Sequence, residues 1–79
     1  MYDIWFCEII YRDKREPFEI GGLDYLKLIY TNVKKENLID YAKEYNEDYL
    51  GYSIKAIDDR YCVFKETDKF CIFFEELVD

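Results

Sequence analysis

Five carboxylates, Glu36, Asp40, Glu44, Glu47 and Asp48, are the residues of this sequence whose type and spacing could do chemistry. On a helix they fall close to one line with about 6 Å between turns, a spacing that resembles the phosphate repeat of a nucleic-acid strand. Such a line can fill a lysine- and arginine-lined groove on another protein, with charge steering the approach. Between residues 36 and 50 the only base is Lys43. Like charges at i and i+4 destabilise a helix by about 0.2–0.5 kcal/mol per pair, and acids near its C-terminus oppose the macrodipole. A surface that serves structure alone mixes its signs. Asp58 and Asp59 extend the acidic set, although as neighbours between two strands they also read as a hairpin loop.

Other chemistries lack their parts. The chain has no histidine and one serine, Ser53, so Ser–His and Cys–His nucleophile arrangements within it are excluded. Cys7, Cys62 and Cys71 form no Cys-x-x-Cys pair and read as small reduced hydrophobes, which fits a reducing, cytoplasmic compartment, that of a bacterial host for a phage-encoded chain. Glu75 and Glu76 point to opposite faces of a strand and share no site. Gly21-Gly22 lacks the Lys and Ser or Thr of a phosphate loop. No enzymatic activity, cofactor or metal is expected.

Charge argues in the same direction. Eighteen acidic and eleven basic residues leave a net charge of −7. Residues 1–35 balance, with six of each sign, and the excess lies in the middle and end of the chain. Such a field repels nucleic acid and membrane surfaces and attracts basic proteins. The run Lys69-Phe70-Cys71-Ile72-Phe73-Phe74 loosely resembles the aromatic strand of an RNA-recognition motif, but it lacks the glycine and runs into Glu75-Glu76. Neither direct nucleic-acid binding nor membrane insertion is expected, since no apolar run approaches about 18 residues.

The elements that must position these groups follow from periodicity. Tyr2 to Tyr11 reads as a strand apolar on both faces, with Tyr2, Ile4, Phe6 and Ile10 on one and Trp5, Cys7, Ile9 and Tyr11 on the other. A solvated turn over Arg12–Glu16, Pro17 and a short extended piece from Phe18 to Gly22 come next. Residues 25–31 fit a strand with Leu26, Leu28 and Tyr30 inward, and also a short helix with Leu23, Leu26 and Tyr30 on one side. Asn32 is the expected N-cap of a helix from about Val33 to Tyr49, whose apolar stripe is Leu38, Tyr41, Ala42, Tyr45 and Tyr49. Gly51 stops it.

From Tyr52 to Leu77 the sequence folds into a three-stranded meander. Two-residue loops at Asp58-Asp59 and Thr67-Asp68 give the rows Ala56-Tyr61-Phe74, Ile54-Val63-Ile72 and Tyr52-Lys65-Phe70 on the face toward the helix. The other face then holds Ile57, Cys62, Phe64, Cys71 and Phe73. Unless Phe18, Ile20 and Leu23 fold over it, Phe64 and Phe73 form an apolar interface.

The expected fold is therefore a small two-layer α+β domain, residues 1–79, with one amphipathic helix on a mostly antiparallel sheet of about five strands in the order ββαβββ. The expected function is a non-catalytic acidic inhibitor or decoy binding a basic, nucleic-acid-handling protein. In composition the chain resembles the short acidic DNA-mimic, anti-restriction and anti-CRISPR proteins of phages and mobile elements. An antitoxin or immunity protein, and a self-associating module forming a homodimer, are the alternatives.

Overall fold

The computed structural model describes residues 1–12 and 20–78. The charged turn expected beyond Arg12, with Pro17 and Phe18, lies outside those residues. Five strands, β1 (Tyr2–Arg12), β2 (Ile20–Val33), β3 (Ile54–Ile57), β4 (Tyr61–Phe64) and β5 (Phe70–Glu76), and one helix, α1 (Leu38–Tyr45), form an α+β fold. The sheet is antiparallel throughout, in the order β2-β1-β5-β4-β3. No helix among the described residues is long and apolar enough to cross a membrane.

The first strand lies beside the last. β1 and β5 pair without a break from Tyr2↔Glu76 to Glu8↔Phe70. Backbone bonds from Leu77 N–H to Met1 O (2.9 Å) and from Ile9 N–H to Lys69 O (2.6 Å) extend the ladder at both ends. With a partner strand on each side, β1 has both faces available for packing, as its two-sided apolar pattern demands. Ile4 is buried on the helix side and Cys7 on the other.

Against β2 the pairing is irregular. Tyr2, Ile4, Phe6 and Glu8, two apart, stand opposite Val33, Tyr30, Lys27 and Asp24, three apart. Extra residues such as Leu26 and Ile29 are bulges, which bend and twist the strand that carries them. The period of β2 is therefore close to three, between strand and helix, which is why both readings fitted residues 23–31. Tyr30 turns inward as expected, but Leu26 and Leu28 are exposed, because the alternation that placed them inward is broken by the bulges. Asp3 holds the last irregularity, accepting hydrogen bonds from the Thr31 hydroxyl (2.6 Å) and the Asn32 N–H (3.4 Å).

Asn32 is not a helix cap. It sits in the left-handed region at φ 55°, inside β2, and Val33 is a buried strand residue. The helical segment begins instead with a 3₁₀ turn at Lys35–Asn37, continues as α1 and widens into a π turn at Asn46–Leu50, closed by Gly51 N–H to Asn46 O at 2.6 Å. Gly51 ends it as expected, at φ 69°. Leu38 and Ala42 are buried against Ile4, Cys62, Phe64, Ile72 and Phe74, with Tyr41 and Tyr45 half-buried beside them. Tyr49 leaves the stripe and is 73% exposed, since the wider turn carries Leu50 inward in its place. Asn46 is the buried polar residue of this face. Its side-chain amide donates to Tyr52 O (2.8 Å) and its carbonyl accepts from Tyr52 N–H (3.2 Å), tying the π turn to the approach to β3.

The meander keeps its three strands but not its expected register. The second loop spans Glu66-Thr67-Asp68, so Tyr61, Cys62 and Val63 face Phe73, Ile72 and Cys71. Each partner moves by one residue, and a slip of one turns a strand over. Cys62 and Phe64 therefore lie under the helix while Tyr61 and Val63 lie on the outer face. In the first hairpin Asp58 Oδ1 accepts from Arg60 N–H (2.7 Å) and Tyr61 N–H (2.9 Å), which sets the loop at Asp59-Arg60. An irregularity at Lys55 then places Ile54 and Ala56 on opposite faces. Under the helix, burial pushes the Cys62 thiol up to about 12. It remains a neutral, hydrophobic side chain.

Asn46 generates a stability prediction. Replacing it by alanine strands both Tyr52 backbone groups and is expected to cost about 1–3 kcal/mol in urea unfolding. Gly51→Ala, by contrast, is expected to cost about 1–2 kcal/mol, from left-handed strain alone, because nothing lies within 4 Å of a Cβ placed there.

Candidate functional site

All five helix-segment acids are exposed, and among the described residues none has a hydrogen-bond or ion-pair partner. They do not sit on one regular helix. Glu36 belongs to the 3₁₀ turn, Asp40 and Glu44 to α1, and Glu47 and Asp48 to the π turn. Asp40 and Glu44 keep the ideal spacing of one α-turn, about 6 Å along the axis. A π turn advances each residue by a smaller angle than an α-turn, so Asp48 rather than Glu47 continues their line. Consistent with this, Glu44 and Asp48 both act on Tyr30, and Glu47 does not.

Beneath the line runs a row of tyrosines that sequence reasoning assigned to the core. Tyr41 and Tyr30 lie 4.7 Å apart between ring centroids, Tyr30 and Tyr45 6.4 Å, and Tyr45 and Tyr49 5.0 Å. Three rings come from the helical segment and one from bulged β2. They floor a groove between the two. Its clefts are small: one of about 280 Å³ is lined by Met1, Tyr30, Asn37 and Tyr41 among others, one of about 220 Å³ by Lys27, Tyr30, Tyr45 and Tyr49, and one of about 280 Å³ by Asn37, Asp40, Tyr41 and Glu44. The Tyr30 hydroxyl is held above the usual tyrosine range, first by burial and then by the negative charge of Glu44 and Asp48. The i, i+4 tyrosine spacing was legible in the sequence. What hid its role was that half-buried and fully buried rings share one pattern.

Asp58 and Asp59 are not joined to this site. Asp58 is occupied by its own turn, and the loop lies beside β3, at the opposite edge of the sheet from the β2 side that Glu44 and Asp48 face.

The outer face differs from the expected one in membership. Phe64 is 1% exposed under the helix and is not part of it, a consequence of the one-residue slip of β4. Phe73 is part of it, with Trp5 and Tyr25, whose rings lie 5.3 Å from each other and, for Tyr25 and Phe73, 5.8 Å. Leu23 packs against this face, as the alternative in which the face is covered required of it. The Trp5 Nε1 donor is buried without a hydrogen-bond partner among the described residues.

Tyr30 reports the field of the acids. It titrates late, so the folded state loses stability relative to the unfolded chain as pH rises above the ordinary tyrosine value near 10. Glu44→Gln combined with Asp48→Asn should return the Tyr30 ionisation part of the way to that value, burial being the larger cause, as read from its ring carbon shifts in an NMR pH titration.

Among the described residues, no three Cys, Asp or Glu side chains converge as metal ligands. Compared with protein-family models, with curated proteins and with solved structures, the chain matches none of them.

Proposed function

We propose that this protein is a non-catalytic acidic decoy that occupies the basic, nucleic-acid-binding surface of another protein. The observation that carries this reading is the exposed line Glu36, Asp40, Glu44 and Asp48, with Glu47 beside it, none of them in an ion pair with a base among the described residues. Among the described residues, no side-chain hydrogen bond or ion pair ties these acids to the fold. Glu47 and Asp48 sit at the negative end of the helical segment, where they cost stability. A cost held at an exposed surface finds its reason in what the surface meets. The same electrostatics would serve an antitoxin or immunity protein, and the identity of the captured target separates the two.

The test compares the protein with a variant carrying Glu36→Gln, Asp40→Asn, Glu44→Gln and Asp48→Asn in retention of proteins from a host lysate. The expected result is capture of a nucleic-acid-binding protein that moderate salt or added duplex DNA releases, weakened about tenfold or more in the variant. Equal capture by both proteins at low and high salt sinks the decoy reading.

A second reading rests on the outer face. Tyr25 is half-exposed beside Trp5 and Phe73, an aromatic surface suited to a second copy. If it is used, sedimentation should show a dimer that Tyr25→Asp converts to a folded monomer; a wild-type monomer at high concentration removes this reading.

A further inference from the structure

We infer that the groove between α1 and β2 takes arginine side chains, at alternate positions of an extended segment of a partner protein, onto its row of tyrosines. The inference rests on the decoy reading and names the groups that the decoy would grip.

Size favours side chains as the occupants. Small-molecule sites occupy about 300–1,000 Å³, and each cleft here measures about 220–280 Å³. They have the dimensions of side chains. They are also spaced for them. Tyr41 and Tyr45 stand one helical turn apart, about 6 Å along the axis. An extended chain repeats its side chains on one face every two residues, about 6.6 Å. Alternate residues of such a segment therefore meet successive turns of the groove.

Chemistry selects arginine among them. Tyrosine faces attract cations, and a guanidinium also stacks flat on a ring while keeping its edge free for carboxylates. Ring and carboxylate occur together here. Asp40 and Glu44 line the cleft at Tyr41, and Glu44 and Asp48 bear on the Tyr30 ring beside Tyr45 and Tyr49. Two bases share the lining, Lys27 in the cleft of Tyr45 and Tyr49 and Lys34 at the Met1 end. Lys27 puts a positive charge into the lining, and that charge opposes an incoming arginine. Lysine is the weaker competitor in general, since its ammonium is compact and strongly hydrated.

The experiment is a calorimetric and NMR titration at low salt with a short peptide alternating arginine and serine, beside its lysine counterpart. The arginine peptide should bind about fivefold or more tightly than the lysine peptide and move the ring signals of Tyr30, Tyr41, Tyr45 and Tyr49. Tyr49→Ala, at a residue 73% exposed and therefore safe for the fold, should erase most of that preference. Lys27→Gln should tighten the arginine peptide by severalfold. Equal affinity for both peptides, with shifts confined to the amides of the acids, overturns the groove while leaving a charge-driven decoy standing. Binding of neither peptide overturns the groove as well, and the lysate capture then decides the decoy reading separately.

Discussion

The structure depends on the pairing of its first strand with its last. β1 enters the middle of the sheet only because β5 returns to lie beside it, and the seven uninterrupted pairs from Tyr2↔Glu76 to Glu8↔Phe70 close a contact between the two ends of the chain. Ordering such distant segments carries a loop-closure cost that is recovered only when the apolar faces are covered. Ile4, Ile72 and Phe74 supply that cover on the helix side, and Cys7 and Cys71, directly opposed, on the other. The β1–β2 hairpin and the β3–β4–β5 meander are otherwise separate local units. The shared ladder makes them one sheet, and one sheet gives the helix a surface wide enough to lie on.

The groove follows from that arrangement. The helical segment must leave β2, cover the centre of the sheet and return to β3 at the far edge. Leu38, Ala42 and Leu50 face the sheet, while Asn46 ties the last turn to Tyr52. The side of the segment next to β2 is left only half covered, because a bulged edge strand curls rather than lying flat against it. Tyr30, Tyr41 and Tyr45 fill this seam, each with one side packed and one side open. Aromatic rings with a polar hydroxyl suit a boundary of this kind better than aliphatic side chains. The acids above them face outward because every inward position of the segment is already taken.

Bulges also bear on the exposed edge. A 14-residue strand at the side of a sheet is a template for pairing with another chain. The extra residues at Leu26 and Ile29 break the even spacing of its outward backbone groups, and Lys27 stands between them. At the other edge β3 is four residues long and irregular at Lys55. Both edges are blunted, so association through this molecule is left to side chains.

Local physics was legible in the sequence by itself. The α+β class, the two-sided apolar character of β1, the helical stripe through Leu38, Ala42 and Tyr45, the stop at Gly51 and the exposure of the acidic line all follow from periodicity, turn chemistry and charge, which act over a few residues. Quantities set by partners distant in the chain were decided only by the tertiary structure. A third residue in the second loop turned β4 over and exchanged Cys62 and Phe64 with Tyr61 and Val63, because strand alternation amplifies a one-residue slip into a change of face. The near-threefold period of β2 has meaning only opposite β1. Asn46 has its structural role only because Tyr52 comes within hydrogen-bonding distance of it. The acids of the candidate site could be found from their spacing, whereas the tyrosine groove beside them exists only where helix and bulged strand meet.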